Sequence, residues 1–256
     1  FRSGPWMVFA LNALSVMGVA WVLWRWRPAT SVQRLPPEHF FSAVRSGIRY
    51  VHAAPVLRNV LVRTVAFFVF GSAGWALLPL VARRELGLGP AGYGVMLACI
   101  GLGAIAGAIL LPRLRQRLNA DRLMVAASLT FAITMLALAF VRHFWLLNLF
   151  EFFTGFAWIA VLSTLNLGAQ RSAARWVKAR ALAVYLTVFF GSMTAGSAVW
   201  GQIASQFGTP ASLVVATLGM VLASMTVFRW KLEKDPDLNL DLSGQPLDGV
   251  EIELPN

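Results

Sequence analysis

One carboxylate stands inside an otherwise apolar run: Glu151, within residues 144–165. A charge in such a run is costly to hold in hydrocarbon, so it normally faces a cavity or a partner. Glu151 follows Phe144 by seven residues, which places it about 10 Å along a helix rising ~1.5 Å per residue, too deep for a short side chain to reach the surface. Asn148, Glu151, Gly155 and Trp158 recur at helical spacing and share one face. Two chemistries fit this carboxyl. It is a proton carrier, neutral in one state and charged in another, or a structural group hydrogen-bonded to a neighbouring helix. Arg63 is the second charge within an apolar run, about one turn from its end. Its long side chain can reach the interface as an anchor; facing a cavity instead, it would attract an anionic substrate or pair with an acid.

Aromatic and polar side chains extend the candidate set. Trp75 follows Gly71-Ser72-Ala73-Gly74, with Pro79 one turn later, a composition that loosens a helix. Trp75 and Trp158 suit stacking on a flat ligand, or packing in the bundle or at the interface. Tyr185, Ser192, Thr194, Ser197 and Gln202 give a later run a polar side. The substrate-cavity candidates are thus Asn148, Trp158, Trp75, Ser72, Arg63, Tyr185 and Gln202, with Glu151 the proton-coupling candidate.

Enzymatic chemistry finds no footing. His39, His52 and His143 all lie outside the apolar runs, and neither Gly-x-Ser-x-Gly nor His-Glu-x-x-His occurs. Cys99 is the sole cysteine, so no Cys/His cluster offers a metal site, and no Gly-Lys-Ser or Gly-Lys-Thr follows the glycines. No catalytic residue, metal or cofactor is expected.

The elements that must position these residues follow from composition. Of 256 residues, 58% are hydrophobic and 13% charged, and the mean hydropathy is +0.67: the balance of an all-α membrane protein. Runs of about 20 apolar residues, enough to cross a bilayer core of about 30 Å, occur at 5–24, 60–82, 91–111, 123–141, 144–165, 181–204 and 210–228, predicting a bundle of about seven transmembrane helices. Seventeen of the lysines and arginines fall in the first, third and fifth loops and the tail, against four on the other side. Because such loops stay cytoplasmic, the C-terminus is expected in the cytoplasm. The net charge of +11 is then an address label, and nucleic acid is not an expected partner.

Between the first two spans, residues 25–59 form a linker. Phe40, Phe41, Val44, Ile48 and Val51 fall on one face of a helical pattern there, and Arg45, Arg49 and His52 on another, as for a helix lying on the membrane surface. The last six spans group as two sets of three entering from opposite sides, which inverted repeats would produce. Gly101, Gly103 and Gly107, and Gly191, Gly196 and Gly201, carry small-residue spacing that lets helices approach closely.

Several segments together resemble a known family. They are Ala76 to Arg83 (ALLPLVAR), Gly92-Tyr93-Gly94, Gly101 to Ala108 (GLGAIAGA), Leu162 to Asn166 (LSTLN) with Ala169-Gln170, and Trp176 to Ala183 (WVKARALA). They are similar to the C-terminal half of a major facilitator superfamily transporter, in the bacterial branch of the enterobactin exporter, macrolide-efflux proteins and transmembrane secretion effectors. The resemblance implies helices six to twelve of a twelve-helix fold. Residues 1–24 would be the last helix of the N-terminal bundle, 25–59 the cytoplasmic linker, 60–228 the C-terminal six-helix bundle, and 229–256 the start of a truncated cytoplasmic tail or domain. It places Glu151 on a cavity-lining helix. It also implies an echo of the superfamily's gating-loop signature at Gly107, Arg113, Arg115 and Arg117, with Leu111 and Pro112 where the acidic member would stand.

The expected function is secondary active efflux of a small organic molecule, such as a siderophore or drug, across the bacterial inner membrane. Proton antiport and alternating access would drive it, with the lipid bilayer and a missing N-terminal half of the same chain as partners. The alternatives are the permease subunit of an ATP-driven exporter, and a membrane scaffold or receptor whose tail does the work.

Overall fold

The computed structural model describes residues 5–26, 54–172 and 178–232. The amphipathic pattern of the linker and the tail beyond 232 lie outside them. Seven α-helices are described: α1 (Pro5–Arg25), α2 (Pro55–Leu80), α3 (Pro90–Arg117), α4 (Ala120–Phe140), α5 (Phe144–Arg171), α6 (Lys178–Phe207) and α7 (Thr209–Ser224). A π-helical turn, Val81–Glu85, extends α2, and a 3₁₀ turn, Met225–Phe228, extends α7. The chain divides into two compact units, α1 lying in the first and the other six helices in the second.

Local sequence sets the helix ends. Proline opens α2 and α3 and sits in the first turn of α7, where its fixed φ and missing N–H cost nothing. Asn119 caps α4 by accepting from the Arg122 N–H at 3.0 Å, and His143 caps α5 through Nδ1. A single residue, Gly208, separates α6 from α7; its φ of 88° is one that side-chain-bearing residues rarely adopt.

Six described helices are long and apolar enough to cross a membrane: the α2 rod Pro55–Glu85, Pro90–Arg117, Ala120–Phe140, Phe144–Arg171, Lys178–Phe207 and Thr209–Val227. The remaining expected span is a helix too, although its described apolar stretch, Phe9–Arg25, is shorter. Several helices outrun their apolar runs. At 28 residues, α3 is about 42 Å long at ~1.5 Å per residue, so Arg113, Arg115 and Arg117 ride its last turns instead of lying in a loop. Pro112 sits within the helix and does not end it.

Short connections make sequential neighbours antiparallel. One end of the six-helix unit therefore gathers Arg58, Arg113, Arg115, Arg117, Arg122, Arg171, Lys178, Arg180, Arg229 and Lys231, whereas the other has Arg83, Arg84 and Arg142 with Glu85. We call the former the basic end.

Two seams carry the closest packing. Along α3–α5, a Cβ on Gly155 would stand 1.8 Å from the Ile100 carbonyl oxygen, and one on Gly103 would stand 1.8 Å from that of Phe152. Along α2–α6, Gly196 lies against Ser72 and the Val69 carbonyl, and the Trp200 indole donates to that same carbonyl at 2.6 Å. Lipid offers helices no hydrophobic reason to associate, so backbone approach at small residues and interhelical hydrogen bonds carry the assembly. Between the seams, Phe67, Phe68, Phe131, Trp158 and Phe189 form a chain of ring contacts joining α2, α4, α5 and α6.

Candidate functional site

Gly155 fixes where Glu151 goes. By bringing the α5 backbone onto Ile100, it turns the face one helical turn earlier into the bundle, and Glu151 is 2% exposed. Glu151 borders a cavity of about 10 Å³, room for roughly one water molecule. Four helices enclose it: Trp75 and Leu78 of α2, Ile100 of α3, Phe131 and Thr134 of α4, Glu151 and Thr154 of α5. Its polar groups are complementary. The Trp75 indole N–H is buried without a hydrogen-bond partner. Thr134 donates to the Phe131 carbonyl at 2.9 Å and Thr154 to that of Phe150 at 3.2 Å, which leaves both hydroxyl oxygens as acceptors. Trp75, Thr134, Glu151 and Thr154 thus share the lining of one small, largely apolar cavity.

The predicted α5 face is brought together. Asn148 is buried and donates to the Phe144 carbonyl at 2.9 Å, with its Oδ1 unpartnered. Trp158 meets the Trp75 ring edge-on at 5.2 Å and also contacts Phe67, Phe68 and Phe131. The two tryptophans thus contact each other within the aromatic chain. The polar side read on α6 is divided by the structure. Tyr185 and Ser192 are buried, Tyr185 with an unpartnered hydroxyl, while Thr194 and Gln202 are exposed on the far side. Ser72 lies in the α2–α6 seam, donating to the Val69 carbonyl at 2.8 Å.

At the basic end, Arg63 is buried in an ion pair with Asp121. Asp121 also accepts from the Leu232 N–H at 3.1 Å, and Asn59 donates to the Lys231 carbonyl at 2.9 Å. This pair joins α2, α4 and the segment after α7. Gly107 packs against Ile159 of α5, and Arg115 donates to the Ser163 hydroxyl at 3.0 Å; Arg113 and Arg117 are exposed. Asp121 was not singled out from the sequence. Its signal was available, as an acid in the first turn after a capping Asn119, but its partner is 58 residues away. Thr134 and Thr154 carried no signal, since hydroxyls in apolar helices commonly satisfy themselves on their own backbone.

Comparison with curated proteins and with solved structures finds no match. The family model described as transmembrane secretion effector matches residues 2–254. Nearly the whole chain is covered, and with six helices of membrane-spanning length and composition behind it, the protein belongs to the transmembrane secretion effector family, a multi-pass membrane protein of the major facilitator kind.

Proposed function

We propose that this protein exports a small organic molecule, such as a siderophore or drug, across the bacterial inner membrane by proton antiport. The six-helix unit would act as one of two bundles that rock about a substrate held near the midplane. In this reading the basic end faces the cytoplasm, because arginines resist translocation.

The observation that carries the reading is the buried Glu151 carboxyl beside a water-sized cavity, with Trp75, Thr134 and Thr154 around it. Ionisable groups so placed serve in proton relays, among other functional roles. A water molecule admitted to the cavity would give the proton a bridge. Protonation would neutralise the carboxyl and release its hold on polar neighbours, which supplies a reason for the helices around it to shift.

Glu151→Gln tests this, since glutamine keeps the shape and a hydrogen-bonding carbonyl but has no ionisable proton. In everted membrane vesicles of the full-length transporter, the variant is expected to insert normally and to lose export driven by a proton gradient. Wild-type export by Glu151→Gln would remove this carboxyl from the mechanism.

A further inference from the structure

The basic end contains a second recess, unrelated to Glu151. It has a volume of about 490 Å³ and lies among the ends of α2, α3, α4 and α5, within the size range of small-molecule sites. Arg115 and Arg171 line it together, and Val56, Leu118, Leu123 and Leu167 form apolar walls.

Among the described residues, no acid is paired with the arginines of this recess. The described residues hold three acids, and each is committed elsewhere: Glu85 to Arg142 at 3.2 Å, Asp121 to Arg63, and Glu151 to the middle of the bundle. Arg115 and Arg171 carry like charge and line the same recess. Two like charges facing one cavity repel, and an anion bridging them would turn that repulsion into attraction.

We propose that this recess binds a phosphate group, held by Arg115 and Arg171. The arrangement of the donors favours phosphate over carboxylate. Each guanidinium presents five N–H donors in a planar fork, of which Ser163 takes one from Arg115. A carboxylate's oxygens lie in one plane and match a single fork best, whereas a phosphate spreads its oxygens tetrahedrally, so two forks on different helices can approach it from different sides. The group comes either from an anionic lipid headgroup, whose acyl chains would meet the apolar walls, or from a free phosphorylated compound; basic pockets between helices at the cytoplasmic face commonly take the former.

The test uses the full-length chain in detergent, followed by thermal melting. It is titrated with inorganic phosphate against chloride at matched ionic strength, and with dihexanoyl phosphatidylglycerol against dihexanoyl phosphatidylcholine. A saturable rise in melting temperature is expected from at least one phosphate probe. Arg171→Gln should weaken that response about tenfold or more, the worth of a charge-assisted contact. Arg171 is exposed, so the change spares the core, and Arg171→Lys, which keeps the charge without the fork, should fall between. Arg117→Gln, exposed at the same end but outside the recess, should respond as the wild type does. A stronger response to phosphatidylglycerol assigns a lipid headgroup, and a stronger response to inorganic phosphate assigns a free compound. No saturable response to either, or equal responses from Arg171→Gln and the wild type, would overturn the site.

Discussion

Replacing Gly155 by alanine adds one methyl group at the tightest point of the α3–α5 seam. The new Cβ would stand 1.8 Å from the Ile100 carbonyl oxygen, 2.7 Å from its carbon and 2.9 Å from the Ala104 nitrogen. All three are backbone atoms, so no side-chain rotation relieves the contact. Returning the first to an ordinary 3.4 Å requires the helices to separate by about 1.6 Å, which also opens the matching contact of Gly103 with Phe152. Overpacking by one methylene costs about 1–3 kcal/mol where side chains can yield; with only backbone in the way, about 3 kcal/mol is the expected order. For a domain of this size that is roughly 6–12 °C in melting temperature. The assay is thermal unfolding in detergent, with Gly101→Ala as the control. Gly101 lies on the same α3 helix with nothing within 4 Å of its added Cβ, and alanine is the better helix former by about 1 kcal/mol. Gly101→Ala should therefore melt at or above the wild type. Equal melting temperatures for the two variants would refute the close approach of α3 and α5, and with it the placement of Glu151 inside the bundle.

Other outcomes follow from the seams and the buried ion pair. Asp121→Leu leaves Arg63 buried without its partner and should cost about 3–5 kcal/mol; the double variant Arg63→Leu with Asp121→Leu should recover much of that in the same melting assay, and simple additivity would show that the two charges do not act as a pair. Trp200→Phe keeps the ring but removes the donor to the Val69 carbonyl, with an expected loss of about 0.6–1.5 kcal/mol; Gly196→Ala, which drives a Cβ against Ser72 and that same carbonyl, should be the more damaging of the two.

Much of the architecture was readable because hydrocarbon imposes a simple rule. Every backbone polar group in lipid must be satisfied within its own segment, so an apolar run of about 20 residues can only be a helix there. Composition alone thus yields the spans, and the unequal sorting of arginines orders their ends. Helix limits shifted outward by several residues, as at Arg113 to Arg117, because a helix does not stop where its apolar run stops.

Faces were less legible. Glu151 announced itself by its rarity, and its companions Asn148, Gly155 and Trp158 followed from helical spacing. In contrast, nothing in the sequence separates Gly103, Gly107 and Gly196, which meet another helix, from Gly101, Gly191 and Gly201, which have nothing within 4 Å. A transmembrane helix is apolar all round, so its inward side leaves little hydrophobic asymmetry to detect. The same blindness merged Tyr185 and Gln202 into one polar side of α6, although one is fully buried and the other exposed.

The sequence by itself determined that the chain is a helical membrane bundle, which end of it is basic, and that a lone carboxyl lies within it. Only the tertiary structure decided what these charges meet. It set Glu151 beside Trp75, Thr134 and Thr154, it closed Arg63 onto Asp121, and it left Arg115 and Arg171 facing one recess. The physical reason is that span length and charge sorting are properties of single segments in a slab of lipid. A charge's partner instead depends on how helices dock and rotate, which is set by backbone contacts at a few glycines far apart in the chain.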